Sequence, residues 1–392
     1  MHTDATPPSH TYATANTYTV AISGTFPHIQ FGSVNILAGG VVTVSTAAGQ
    51  IRTVEQWGDI EWASMNNAFT GCNNLTTADD AGVPDLSNVT DMSFMFANSS
   101  FSGDISTWDV SSVTNMTGMF SNSTFNGDLS KWDVSKVTSM PYMFQNSSFN
   151  GNISDWNVSK VTSMSFMFVS SSFSGDLSKW DISSVRIMNS IFSGSTFNGD
   201  LSNWNVSNVT DISFMFARSS FNGDLSNWDI SNVTNMERMF TSNTSMSSEN
   251  YDKLLIGWST KTPEETRIPQ NITFGAPDKY SCRGKAGRDI LTGEPYNWTI
   301  AGDELIPIRT EAAALPEVTS QCIASLTPPT AKSSCTIGEG TTVTAAHDVS
   351  TFPITESTLH RRHRSPESYR HPEHHYRSMF AGGSRPDLPQ SR

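Results

Sequence analysis

Trp108, Trp132, Trp156, Trp180, Trp204 and Trp228 recur every 24 residues without a slip, and each opens the phrase W-[DN]-[VI]-S-x-V. A period this short excludes one deep globular core. A 24-residue unit is a single supersecondary element that cannot bury its own apolar face, so successive units must stack. Counting each tryptophan as position zero, the same columns return: an aliphatic residue at two, Ser at three, Val at five, Met or Ile at eight, Met or Ile then Phe at eleven and twelve, Phe at seventeen, and Gly-[DN]-[LI] at nineteen to twenty-one. Six full units run from Pro84 to Asn227, and a partial unit from Trp228 to about Thr244 ends the array. Upstream, Trp57, Met65 and Phe69 keep the phase in a degraded unit lengthened by three residues near Thr77 to Val83, which is how an N-terminal capping coil reads.

Within a unit, Leu129, Trp132 and Val134 make the pattern L-x-x-L-x-L, which predicts a short strand centred on the tryptophan phrase. Val137, Met140, Met143 and Phe144 then fall at i, i+3, i+6 and i+7, which predicts a short helical or 3₁₀ segment. Phe149 and the following Asn-Gly pair turn the chain back. The expected fold class is an α/β repeat solenoid: right-handed, leucine-rich-repeat-like coils with parallel strands and short helical segments, a small capping block and a disordered tail.

The phrases FNGDLSNWDISNVTNMERMF and FSGDLSKWDISSVRIM resemble the BspA-type bacterial surface proteins with 23-to-26-residue leucine-rich repeats, a group that includes a domain of unknown function first noted in mycoplasmas. The resemblance covers about Thr53 to Asp303. It departs from ordinary leucine-rich repeats where Asn or Cys usually follows the strand, which here is Val113, Val137 or Val161. What the resemblance implies is display outside the cell or at its surface, and binding of a protein or matrix component.

The flanks divide the rest of the chain. Residues 1–52 include the alternating segment HTYATANTYTVAI, which reads as a strand and is similar to the last strand of a polycystic-kidney-disease-type β-sandwich; the segment is expected to be a truncated sandwich. The repeats occupy 53–244, with the degenerate cap at 57–83. Residues 245–303 read as a helix followed by strand, helix and strand, a lid for the exposed last coil. Residues 304–392 are expected to be a disordered, low-complexity tail; from Leu359 onward it holds seven Arg, no Lys and five His against three acids.

Composition narrows the function classes. The chain carries a formal net charge of −13 and only 16% charged residues, so no field over its body attracts nucleic acid or an anionic membrane. No window approaches 18 consecutive apolar residues, and no signal-peptide core follows Met1. Four cysteines, Cys72, Cys282, Cys322 and Cys335, lie far apart with no CxxC pair; this argues against a zinc site and leaves room for one disulfide.

Two aspartate columns are the best candidates for chemistry: Asp104, Asp128, Asp176, Asp200 and Asp224, and beside them Asp109, Asp133, Asp181 and Asp229. Stacked carboxylates repel, and calcium would relieve that, whereas turn capping is the plainer role. Asn152, Asn157 and Asn205 favour capping, since they keep the acceptor without the charge. The Ser column, Ser87 to Ser231, is expected to bond the next coil's backbone. No histidine lies between His28 and His347, so a Ser/His nucleophile is excluded from the repeats, and the chain is expected to have no enzymatic activity and no cofactor.

Recognition belongs where units differ. Three columns vary: Thr107, Lys131, Asp155, Lys179, Asn203, Asn227; Asn88, Ser112, Lys136, Lys160, Ser184, Asn208; and Phe94, Gly118, Tyr142, Phe166, Ser190, Phe214. Lys131, Lys136, Tyr142, Lys160, Phe166, Lys179 and Phe214 are therefore the candidate ligand-binding residues, with aromatic packing as the competing role for the rings. The expected partner is a protein or glycan at a surface. The alternative is a calcium-loaded structural spacer or adhesin without a specific ligand site on the coils.

Overall fold

Each coil settles its backbone hydrogen bonds in two directions by turns. Met116, Gly118, Phe120 and Asn122 donate their N–H groups to Ser139, Pro141, Met143 and Gln145 of the next coil, at 2.9, 2.8, 2.9 and 2.7 Å. The residues between, Met119, Ser121 and Ser123, donate three places back to Met116, Gly118 and Phe120, at 3.3, 3.0 and 3.2 Å. Alternate residues thus tie coil to coil while their neighbours close consecutive β-turns, and the buried backbone is satisfied without helix or long strand. Closing such turns needs a left-handed residue at two places per coil; Gly118 and Asn122 take φ of 61° and 54°, and Tyr142 and Asn146 take 61° and 50°.

The computed structural model describes residues 13–14, 16–22, 28–37, 40–43, 48–263 and 265–306, together with the backbone of β9 (Cys322–Ala324), β10 (Thr330–Lys332), β11 (Thr342–Thr344) and β12 (Phe352–Ile354). The repeats form a parallel stack. Single-residue parallel bridges run Asp91, Asn115, Ser139, Ser163, Ile187, Asp211, Asn235, one per coil. The pairing therefore lies seven residues beyond the tryptophan and not on its phrase, which corrects the expected strand position. At the phrase, Trp132 and Val137 donate to Leu129 and Val134 inside their own coil, so that side is built of turns. There the coils are joined by the indoles: Trp132 Nε1 donates to Ile105 O and Trp156 Nε1 to Leu129 O, both at 3.0 Å.

Rings stack from coil to coil on both sides: Trp156 and Trp180 at 6.5 Å, Phe144 and Phe168 at 5.7 Å, and Tyr142 and Phe166 at 4.8 Å. The expected helical segment is likewise corrected: Ser139 carries the ladder bridge and turns follow from Pro141, although Val137, Met140, Met143 and Phe144 are all buried as their spacing requires. Chain reversal every three residues returns side chains to one face just as a helical turn does.

Both ends of the stack are covered. At the front, His28 bridges Ser64 in parallel and Phe31 N–H donates to Ala68 O at 3.1 Å. Strands β1 (Val34–Leu37) and β2 (Gly40–Thr43) form an antiparallel hairpin, and β3 (Thr53–Val54) pairs in parallel with β4 (Thr76–Thr77). Residues 16–22 carry no strand, contrary to the expected one, and Val20 is 67% exposed; the front rung of the stack is taken by residues 28–31. At the back, helix α1 (Ser248–Trp258) is N-capped by the Ser247 side chain. Strand β5 (Thr273–Gly275) follows, then β6 (Lys279–Tyr280), helix α2 (Cys282–Thr292), β7 (Thr299–Ala301) and β8 (Glu304–Leu305).

This block imitates another coil. Phe274 of β5 bridges Met236 in parallel, and β7 pairs in parallel with β5, extending the ladder. Trp258 Nε1 donates to Leu225 O at 3.0 Å, the next carbonyl in the series Leu129, Ile153, Leu177, Leu201 used by the repeat tryptophans. Cys282 is disulfide-bonded, and Cys72 is a free, buried thiol. In the stretch read as a structureless tail, β9 pairs antiparallel with β12 and β10 with β11. Residues 359–392 lie outside the described residues.

Candidate functional site

The two aspartate columns are turn caps. Ser106, Ser130, Ser178, Ser202 and Ser226 donate their N–H groups to Oδ1 of Asp104, Asp128, Asp176, Asp200 and Asp224 at 2.8 to 3.0 Å. Asn152 does the same for Ser154 at 3.0 Å, so the charge is dispensable to the turn. In the neighbouring column Asp109, Asp133, Asn157, Asp181, Asn205 and Asp229 cap Ser111, Ser135, Ser159, Ser183, Ser207 and Ser231. The serine hydroxyl and N–H hold the Asp109, Asp133 and Asp181 carboxyls below the usual carboxylate range. Among the described residues, no group of three or more His, Cys, Asp or Glu side chains converges as a metal site would require.

The serines of this column do not make the expected ladder to the next coil. Their N–H groups go to the caps, and the Ser159 and Ser207 hydroxyls donate to Asn157 and Asn205 in the same turn, both at 2.7 Å. The hydroxyl ladder exists elsewhere. Thr114, Thr138 and Thr162 donate to the carbonyls of Thr90, Thr114 and Thr138 at 3.1, 3.2 and 3.1 Å. A buried serine column that sequence reasoning missed adds to it: Ser123 donates to Ser99 O and accepts from Phe125 N–H.

Lys131, Lys136, Lys160 and Lys179 are exposed in the two turns that flank the tryptophan phrase. Lys179 pairs with Asp155 of the preceding coil at 3.2 Å, a contact that solvent leaves weak. Lys131 adds a smaller downward pull on the Asp104 and Asp128 carboxyls, and Lys136 on Asp109 and Asp133, after the serine hydrogen bonds. The lysines therefore stand among the carboxylates as a mixed-charge strip.

The aromatic column is a separate line along the stack. Phe94, Gly118, Tyr142, Phe166, Ser190, Phe214 and Arg238 all take left-handed backbone, with φ between 55° and 61°. For a bulky residue that conformation costs about 1–2 kcal/mol. The rings lie outside the main core: Phe94 and Ala97 form their own small cluster, against which Val34 and Tyr142 pack. Phe94 leans over Gly118, whose absent Cβ would sit 2.3 Å from the ring. Tyr142 and Phe166 stack with planes 7° apart, and the Arg238 guanidinium lies 5.5 Å from the centre of the Phe214 ring. Tyr142, Phe166 and Phe214 are half-buried, so each ring both packs on its neighbours and shows an edge to solvent.

The capping block holds a polar cluster that periodicity could not reveal. Asp303, whose side chain is 1% exposed, receives two bonds of 2.8 Å from Arg288 and one of 2.8 Å from the Tyr251 hydroxyl. The nearby carboxylate pushes the Tyr251 phenol up, together with the larger effect of burial. The Asp252 carboxylate accepts from the Ser281 hydroxyl and N–H at the start of α2. These groups satisfy one another; Asp252 and Ser281 also line an open depression of about 370 Å³, together with Ser248, Glu249, Lys253 and Arg283.

The family model described as "Mycoplasma protein of unknown function, DUF285" matches residues 63–172 and again 147–254, so the repeats are what this chain shares with that family. No curated protein and no solved structure matches the chain. Among the described residues no helix is long and apolar enough to cross a membrane.

Proposed function

We propose that this chain is a leucine-rich-repeat-like solenoid with right-handed coils that recognises a protein or glycan partner outside the cell or at its surface, and that it catalyses no reaction. One observation carries the reading. Inward and turn-capping columns repeat from coil to coil, while two exposed columns and one half-buried column change their side chains on an unchanged backbone. Variation at the surface of a fixed frame is how repeat proteins carry recognition. The lysines in their mixed-charge strip supply polar contacts, and the edges of Tyr142, Phe166 and Phe214 supply apolar ones. The likeness to BspA-type surface proteins supports the location and the class of partner. In this reading the aspartates are caps and no calcium is needed, because their Oδ1 atoms are committed to turn N–H groups.

The test is a screen of the full chain, immobilised, against extracellular matrix proteins and a glycan array, with and without a calcium chelator. Hits that survive chelation support the reading. Replacing Lys131 and Lys179 by Asn and Lys136 and Lys160 by Ser, residues that other coils carry in the same columns, should reduce binding while leaving thermal unfolding unchanged. A ligand retained at full affinity by that variant and by Phe166→Ser would remove the variable columns from the binding surface. Binding and stability that both vanish on chelation would favour a calcium adhesin instead.

A further inference from the structure

Asn-Gly occurs four times in the chain, at Asn126-Gly127, Asn150-Gly151, Asn198-Gly199 and Asn222-Gly223, always in the same column. It is the dipeptide most prone to spontaneous deamidation, because glycine offers the least hindered backbone nitrogen to the asparagine side chain. The fold obliges the chain to keep the glycine, whereas serine takes the place of asparagine at Ser102 and Ser174. A Cβ at Gly127, Gly199 or Gly223 would come within 2.4 to 2.7 Å of the ring of the phenylalanine two places before it, and at Gly151 within 2.9 Å. Each asparagine side-chain oxygen, in turn, accepts a backbone N–H from the element stacked on it. Asn150 donates to Asn126 at 2.8 Å, Ser174 to Asn150 at 2.8 Å, Asn222 to Asn198 at 2.6 Å, and Ser247 to Asn222 at 2.7 Å.

We propose that these four asparagines are a column of covalent modification sites, silent in the stacked fold and opened when neighbouring coils separate. The chemistry is intramolecular. The glycine backbone nitrogen gives its proton to water and bonds to the asparagine Cγ; the tetrahedral intermediate expels the side-chain nitrogen as ammonia, which takes up a proton. The resulting succinimide is opened by water at either carbonyl, giving aspartate or isoaspartate, with no oxidant or reductant involved. To start, Cγ must swing onto the glycine nitrogen. In the stack that motion breaks the bond from the next coil and carries the amide toward a glycine already covered by a phenylalanine ring.

The modification is consequently a record of unstacking. Its rate in the folded protein follows the fraction of time that coils spend apart, in the regime where opening and closing outpace the chemistry. An isoaspartate also runs the main chain through the former side chain, adding a methylene between Phe125 and Gly127 where ring and backbone already touch. A coil so modified has lost the geometry that stacks it.

The experiment incubates the full chain at pH 8 and 37 °C in native buffer and in denaturing urea, and follows the four peptides by mass spectrometry with isoaspartate detection. In urea all four convert, with ammonia released. In native buffer each converts at least tenfold more slowly, while Ser102-Gly103 and Ser174-Gly175, which hold the same column in other coils, stay unmodified in both. Phe173→Ala, which uncovers a Ser-Gly coil and loosens the stack beside Asn150, should raise the native rate at Asn150 and leave the rate in urea unchanged. Equal rates in the two buffers, a native rate faster than the unfolded one, or no response to the loosening variant would each overturn the proposal.

Discussion

Replacing Trp156 by alanine tests the stack at its middle. The indole is 4% exposed, lies 6.5 Å from Trp180 and 6.3 Å from Phe144, and donates to Leu129 O at 3.0 Å. Truncating a buried tryptophan costs about 3–5 kcal/mol through lost burial and the cavity left behind. Roughly 1 kcal/mol of that is the indole hydrogen bond. The orphaned-acceptor penalty does not add to it, because Leu129 O keeps the Trp132 N–H at 3.1 Å. Coupling between nearest neighbours spreads the loss beyond the substituted coil. For a cooperative unit near 200 residues, about 4 kcal/mol lowers the melting temperature by roughly 8–16 °C. Urea unfolding followed by circular dichroism gives the free energy, and hydrogen exchange gives its spread. Trp156→Phe, which keeps a ring without the donor, should lose about half as much. A loss under 1 kcal/mol, or protection lost only in the 156 coil, would falsify the coupled-stack account.

Three further outcomes follow from the same contacts. Asp104, Asp109, Asp128, Asp133, Asp176 and Asp181 have carboxyls held low by serine hydrogen bonds, so their stabilisation is complete above the unfolded value near 3.9 and is lost as pH falls through the depressed folded values. Acid titration should therefore leave stability flat from neutral pH down to about 4 and lower it below that, and substituting asparagine for all six should flatten the acid limb; a steep loss above pH 5 contradicts it. Arg288→Met strips Asp303 of its cation in a buried site and should cost about 3–5 kcal/mol in thermal unfolding, against about 1 kcal/mol for Tyr251→Phe. Cys72 is fully buried and its thiol is pushed up to about 12, so a disulfide reagent should label it only as the chain unfolds; rapid labelling of folded protein would refute that environment.

The period and the inward columns were legible because each tryptophan, methionine and phenylalanine of the repeat must be buried by its neighbours, and Trp132, Val134, Met140, Met143, Phe144 and Phe149 are. The capping role of the aspartates was legible from their exchange with asparagine. The turns between Val137 and Phe144 were not, because a spacing of three and four residues serves a helix and a run of β-turns alike. A signal was present in Gly118 and Gly194, and in Asn98, Asn122 and Asn146, which sit in the two left-handed columns where those residue types are favoured. Reading it required trusting one glycine over the bulky Tyr142 and Phe166 of the same column. The ladder's place on the coil was hidden for another reason: the tryptophan phrase has the spacing of a strand, but its N–H groups close turns within their own coil and the indole Nε1 makes the bond to the next one. The Arg288–Asp303 pair joins residues 15 apart outside the periodic region, where no recurrence marks them.

The imitation of a coil by α1 and β5 makes the array's length negotiable. Main-chain bonds between coils reach 23 residues ahead or 24 to 25 back, and Trp258 meets Leu225 as a further repeat tryptophan would. Excising 157–180 would bring Trp156 directly before Asp181, leaving every phrase intact and every acceptor with a donor in register. Adding or dropping a 24-residue unit thus lengthens or shortens the stack by a whole coil of roughly 5 Å with both ends undisturbed. Each event would carry its own lysine, serine or ring to a new height on the surface, so a lineage can reshuffle what it displays without ever redesigning how it folds.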